Sequence, residues 1–154
     1  SHPVIFNALV ELANEFEIKA IRTPREELLP ALKFDPSSLA MKTLWYSVFR
    51  CLSAYGSGKL RRAGIVSADR VYGLLQSVKM TEAYLLNVLD RIKGRSAEIY
   101  SHPAREVEGE PLNGPPGAGL LELEALLSPR VRKAIEDAGL ALGNFNQAEE
   151  MALN

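Results

Sequence analysis

The segment from Ser96 to Pro103 constrains the fold most, because it predicts a short strand that ends at a fixed point. Successive side chains of a strand face opposite sides, which divides this segment into Ala97, Ile99 and Ser101 on one face and Glu98, Tyr100 and His102 on the other. Pro103 ends the strand because it has no N–H to donate. His102 therefore lies at the C-terminal end of a strand, where α/β folds place ligands. A purely structural histidine would fit that position equally well.

Strands alternate with helices along the rest of the chain. The patterns predict helices over 3–16, 39–55, 80–92, 120–127 and 130–138, and strands over 18–22, 65–67, 69–75, 97–101 and 140–145. Residues 28–36 read as irregular, and Gly56 and Gly58 as the end of the second helix. Thr81 and Ser128 are predicted helix caps. This order predicts an α/β fold with parallel strands, either a barrel or an open sheet, with its site at the carboxyl ends of the strands.

Length and composition exclude several classes of function. The 154 residues suffice for one domain, and a formal net charge of −1 gives no basic field for nucleic acid. The single cysteine, Cys51, excludes a disulfide framework within the chain and argues against a cysteine zinc site. No apolar run approaches the roughly 20 residues that cross a bilayer, and no signal peptide is visible. A cytoplasmic location is expected.

Two arginines flank the turn at Pro24, at the end of a predicted strand. The guanidinium group of Arg22 would orient a carboxylate at the site. Arg25 would clamp a substrate carboxylate, or would form an ordinary ion pair with Glu26 or Glu27. Arg25 and Tyr100 are the predicted substrate-binding residues.

Two further segments leave alternatives open. The basic run 59–62, with Trp45 and Tyr46, would contact a membrane surface or an anionic substrate, or would be a solvated helix end. The loop 104–119 is rich in proline and glycine and leaves directly from His102. A lid and a disordered segment both fit that composition.

Six motifs in one order resemble the C-terminal half of the YdjC-like carbohydrate deacetylases, and most closely the hopanoid-biosynthesis-associated (HpnK-like) branch. The motifs are His2-Pro3-Val4-Ile5-Phe6, Ala20-Ile21-Arg22-Thr23-Pro24-Arg25-Glu26, Asp69-Arg70-Val71-Tyr72-Gly73-Leu74, Met80-Thr81-Glu82, Glu98-Ile99-Tyr100-Ser101-His102-Pro103 and Leu126-Leu127-Ser128-Pro129-Arg130-Val131. The resemblance extends to about residue 145.

The resemblance implies a distorted (β/α) barrel that hydrolyses the N-acetyl amide of an amino sugar. A divalent metal, magnesium or zinc, would be held by an aspartate and two histidines, and a neighbouring aspartate would activate water. Those residues belong to the family's preceding half, so no metal is expected for this chain alone. His2 matches a position that is not the family's usual ligand and is at most a candidate metal ligand. His102 matches the family's late active-site histidine, which would deliver a proton to the leaving amine, and Arg22 matches a basic residue that would orient a carboxylate.

Residues 1–145 are therefore expected to form the C-terminal half of a deacetylase-like barrel, followed by a tail over 146–154. The expected partners are an N-acetylated sugar and the missing N-terminal half, without which this half should be inactive. A different class of function is a non-catalytic helical scaffold that self-associates as a homo-oligomer through exposed apolar faces. A membrane-associated module using residues 59–62 is a third interpretation.

Overall fold

A computed structural model describes residues 3–25, 27–34, 39–76, 79–92, 96–105 and 115–147. Several predicted features lie outside the described residues. They are the candidate ligand His2, the centre of the predicted lid at 106–114, and the tail from residue 148.

Short strands alternate with helices through the described chain. The elements are α1 (Pro3–Glu15), α2 (Leu28–Phe34), α3 (Leu39–Arg62), β1 (Arg70–Tyr72), α4 (Glu82–Leu89), β2 (Ala97–Ile99), α5 (Ala118–Leu127), α6 (Pro129–Asp137) and a 3₁₀ turn (Phe145–Gln147). None of the helices within these described ranges is long and apolar enough to cross a membrane.

The strands pair in parallel, which confirms the predicted α/β class. Arg70 pairs with Ala97 at one end of the β1–β2 ladder, and Tyr72 pairs with Ile99 at the other. A third extended segment, residues 20–25, runs along the opposite side of β1. It forms a parallel bridge from Ala20 to Val66, and the Val71 N–H donates to the Arg25 carbonyl at 3.0 Å. These pairings bring the carboxyl ends of three neighbouring segments to one edge.

Two apolar clusters support this arrangement. The larger one surrounds α4 and includes Tyr72, Met80, Tyr84, Leu85, Val88, Leu89, Ala125 and Val131, with Ala97 and Ile99 packed against it. The smaller one joins α1 to the end of α3 through Phe6, Ala13, Leu60 and Ile65. The face of β2 that carries Ala97 and Ile99 is therefore the core face, as its alternation predicts.

Both predicted helix caps are confirmed. The Thr81 hydroxyl accepts a hydrogen bond from the Tyr84 N–H at the start of α4. The Ser128 hydroxyl accepts from Arg130 and Val131 and also donates to Glu82 at 2.6 Å. Because Glu82 lies in the first turn of α4, the second cap also connects α4 to α6.

The prediction that α3 ends at Gly56 is wrong, since the helix continues to Arg62 and includes the basic run in its last turn. Gly56 instead packs against Phe6: a Cβ there would lie 2.9 Å from Cζ of Phe6, and the ring would have to move. A small residue thus lets α1 approach α3 closely. Residues 59–62 thus lie at the end of a helix.

Two other local predictions are also wrong. Residues 28–34 form α2 rather than an irregular segment. Pro30 is its third residue, where a backbone N–H would have no partner within the helix in any case. The predicted strand at 140–145 is not a strand: residues 141–145 are exposed, Leu142 to 81%, and the described strands do not pair with them.

Two glycines give a matched test of this fold. Gly73 has a φ of +106°, and a Cβ there would collide with the Tyr100 carbonyl oxygen and with Cε of Met80. We expect Gly73→Ala to lower the free energy of unfolding by about 2–4 kcal/mol through strain and overpacking.

Gly58 lies within α3 with nothing within 4 Å of its Cβ position. Gly58→Ala should raise the free energy of unfolding by about 1 kcal/mol. Urea denaturation measures both, and equal effects would contradict the described β1–β2 geometry.

Candidate functional site

A polar cluster occupies the face of β2 opposite the core. We call Arg22, Glu98, Tyr100 and His102 the strand-end cluster. Arg22 forms an ion pair with Glu98, and its guanidinium carbon lies 4.9 Å from the centroid of the Tyr100 ring. The rings of Tyr100 and His102 meet edge to face, with centroids 4.7 Å apart and planes at 83°. The predicted residues Arg22, Tyr100 and His102 are thus brought into one continuous row.

The charges in this row are partly shielded from water. The Glu98 side chain is only 15% exposed, whereas that of Arg22 is 43% exposed. One carboxylate oxygen of Glu98, Oε2, is buried with no hydrogen-bond partner among the described residues. Arg22 offsets the charge of that carboxylate and also stacks on Tyr100, which favours an arginine over a lysine. Arg22 therefore contacts both Glu98 and Tyr100.

A buried carboxylate holds the backbone of His102. Glu122, on α5, is only 1% exposed. Its Oε2 accepts a hydrogen bond from the His102 N–H, and its Oε1 accepts one from the Met80 N–H at 3.2 Å. A buried carboxylate needs such partners because burial removes its hydration. Glu122 thus ties the end of β2 to the residue that precedes the α4 cap.

The chain after His102 is anchored to the same helix. The Ala104 N–H donates to the Gly119 carbonyl at 3.1 Å, and a Cβ at Gly119 would meet Cβ of Ala104 at 2.8 Å. The two ends of the predicted lid are therefore adjacent, beside the strand-end cluster.

The structure places Arg25 apart from this cluster. The Arg25 side chain lines a groove against α3, together with Tyr46, Arg50 and Arg70. The ion pair predicted for Arg25 with Glu27 does not form, because Glu27 pairs with Arg70 at 2.9 Å; Glu26 lies outside the described residues. Arg22 and Arg25 therefore serve different surfaces.

Sequence reasoning missed Glu122. The only signal was its spacing on α5, where Ala118, Glu122 and Ala125 recur on one buried face. The backbone donors that satisfy Glu122 lie 20 and 42 residues away, beyond the reach of local patterns.

The strand-end cluster offers acid–base chemistry. An imidazole can donate or accept a proton near neutral pH, and His102 is half-buried at the edge of the sheet. Within the described ranges, no three His, Cys, Asp or Glu side chains are grouped so that they could hold a metal ion. Glu122 accepts hydrogen bonds from two backbone N–H groups, and Glu98 pairs with Arg22 through Oε1, whereas its Oε2 has no hydrogen-bond partner among the described residues. The described residues therefore offer no complete set of metal ligands at this site.

Comparison with known proteins adds one match. The family model described as "YdjC-like protein" matches residues 1–137 of the chain. No curated protein and no solved structure matches the chain.

The role of Glu122 can be tested by removing its charge. In Glu122→Gln the side-chain amide would direct its NH₂ group at one of the two backbone donors. We expect a loss of about 1–3 kcal/mol in the free energy of unfolding, because a buried donor would lose its acceptor. Glu124→Gln, exposed on the same helix, is the matched control and should change stability little. Equal urea midpoints for the two variants would contradict the buried clamp.

Proposed function

The chain belongs to the YdjC-like family, and from this premise we propose that it forms part of a carbohydrate deacetylase acting on an N-acetylated amino sugar. The observation that carries the proposal is the position of His102, at the carboxyl end of β2 and in contact with Tyr100. The sequence resemblance to the hopanoid-associated branch makes a hopanoid-linked sugar the proposed substrate.

In this proposal His102 acts as the general acid. Hydrolysis of an N-acetyl group adds water to the carbonyl carbon and breaks the carbon–nitrogen bond, which leaves acetate and a free amine. The leaving nitrogen needs a proton, and the imidazolium form of His102 supplies it. Support comes from Glu122, because a histidine whose backbone is held by a buried carboxylate keeps its position as substrate enters.

Arg22 has a positioning role in the same proposal. Its ion pair with Glu98 and its contact with Tyr100 hold the Tyr100 ring against His102. Tyr100 would bind the sugar at the edge of the row. Arg25, which lies in the groove, is proposed to contact a more distant part of the substrate.

In this proposal the complete protein is a distorted barrel. Residues 1–145 form its C-terminal half, and residues 146–154 form a tail. In this proposal the divalent ion of the family, magnesium or zinc, is held by residues of the preceding half, as the sequence resemblance implies. The roles given to His102 and Arg22 do not depend on that ion.

A scaffold that self-associates is the second candidate, and exposed apolar side chains favour it. Along α1 the exposed residues are Val4, Ile5, Leu9, Leu12 and Phe16, and along α3 they are Leu39, Met41, Leu44, Trp45 and Val48. Contiguous apolar faces of this kind are usually covered by another protein surface. In the deacetylase proposal the preceding half of the barrel covers them, whereas in the scaffold proposal a second copy does.

The catalytic role is tested in the longer protein that carries this chain together with the preceding half. Its release of acetate from an N-acetylglucosamine oligosaccharide should fall about 10²–10⁴-fold in His102→Ala, because the leaving amine loses its proton donor. Lys133→Ala removes an exposed charge from α6 and should leave the rate unchanged. Unimpaired turnover by His102→Ala would contradict the role of His102.

The apolar faces give a separate test. Sedimentation velocity of the 154-residue chain should show self-association that Leu44→Glu abolishes, because a buried unpaired charge is costly at an apolar contact. Leu142→Glu, at a site already 81% exposed, is the control and should not alter the sedimentation coefficient. A homo-oligomer that persists in the longer protein through these faces would favour the scaffold over the deacetylase.

A further inference from the structure

A groove separate from the strand-end cluster lies between α3 and the segment that follows Thr23. Its volume is about 660 Å³, within the usual range for small-molecule sites. The polar side chains that line it are Arg25, Glu27, Tyr46, Arg50, Ser53, Ser57 and Arg70.

The groove carries an excess of positive charge. The described residues that line it carry three guanidinium groups and one carboxylate, which gives a formal charge of +2. The carboxylate of Glu27 is already paired with Nε of Arg70 at 2.9 Å, and a second nitrogen of Arg70 donates to the Asp69 carbonyl at 2.8 Å. The charges of Arg25 and Arg50 are left without a carboxylate among the described residues.

The other polar side chains discussed here lie on α3, which forms the second wall of the groove. Arg50 donates to the Tyr46 hydroxyl at 3.4 Å, and its guanidinium carbon lies 5.9 Å from the centroid of that ring. Ser53, which also lines the groove, is 94% buried, and its hydroxyl has no hydrogen-bond partner among the described residues. A buried hydroxyl without a partner is uncommon, and a ligand oxygen is one way to satisfy it.

We propose that this groove binds the phosphate monoester of a small molecule such as a sugar phosphate. A phosphate monoester carries about −1.5 to −2 charges near pH 7, which matches the excess in the groove. Guanidinium groups bind phosphate oxygens through paired N–H donors. Inorganic phosphate alone would leave most of the groove volume unfilled. The apolar side chains of Pro24, Leu28 and Ala54 also line the groove, next to the charged groups.

The groove shares no residue with the strand-end cluster, and only Arg25, which the proposed function also places near the substrate, has a role in both proposals. Arg22 faces Glu98 and Tyr100, whereas Arg25 lines the groove with α3. Binding in the groove can therefore be measured whether or not the chain is part of a deacetylase.

Calorimetric titration of the chain with glucose 6-phosphate tests the proposal, with inorganic phosphate, glucose and gluconate as comparison ligands. We expect saturable binding of the sugar phosphate, weaker binding of inorganic phosphate and gluconate, and none of glucose. Arg25→Gln and Arg50→Gln should each weaken binding about tenfold or more, because each loses a charge-assisted hydrogen bond. Arg61→Gln, on α3 but outside the groove, is the matched control and should bind as the unmodified chain does.

Arg50 is exposed, so Arg50→Gln should keep the melting temperature of the unmodified chain and separate binding from folding. Arg25→Lys keeps the charge and should retain more affinity than Arg25→Gln. The proposal is overturned if glucose 6-phosphate does not bind, if Arg50→Gln binds as tightly as Arg61→Gln, or if glucose or gluconate binds as tightly as the sugar phosphate.

Discussion

The two hydrogen bonds accepted by the buried carboxylate of Glu122 are the constraint on which the rest of the site depends. They join the end of β2 at His102, the residue before the α4 cap at Met80, and α5 itself. A carboxylate that is 1% exposed is stable only while both oxygens have donors, so the three elements must keep their relative positions. The same geometry requires Gly73, because the chain at Tyr100 passes too close for a side chain there.

Because the three segments pair in parallel, their polar side chains lie on two separate surfaces. Residues 20–25, β1 and β2 run side by side, with the Arg25 carbonyl beside β1 and the Tyr100 N–H bonded to the Tyr72 carbonyl at 2.8 Å. Ala97 and Ile99 enter the core around α4, which turns Glu98, Tyr100 and His102 to the other face. Arg22 joins that row, while Arg25, three residues later, joins the cationic groove against α3.

Local chemistry explains what the sequence could predict. The orientation of Ala97 and Ile99 in β2 and the caps at Thr81 and Ser128 depend on neighbouring residues, and they appear in the structure. The strand itself ends at Ile99, before the predicted end at Pro103. The row formed by Arg22, Tyr100 and His102 follows from the rule that parallel strands place their carboxyl ends at one edge.

Features that depend on distant residues could not be predicted in this way. Gly56 lies inside α3 because the ring of Phe6 packs against it, whereas its local pattern indicated a helix end. The burial of Glu122 depends on donors from two other segments, and the separation of Arg25 from Arg22 depends on where α3 packs. A strand at 140–145 would need a sheet neighbour, which a local pattern cannot supply.

The central claim is that His102 faces the scissile amide of an N-acetylated sugar. A crystal structure of the chain joined to its proposed preceding half, with an N-acetylglucosamine oligosaccharide bound, tests it directly. The account predicts an imidazole nitrogen of His102 within about 2.6–3.2 Å of the amide nitrogen, or joined to it by one water, with Glu122 still bonded to the His102 backbone. A sugar bound elsewhere, or a His102 ring turned into the protein, would contradict it.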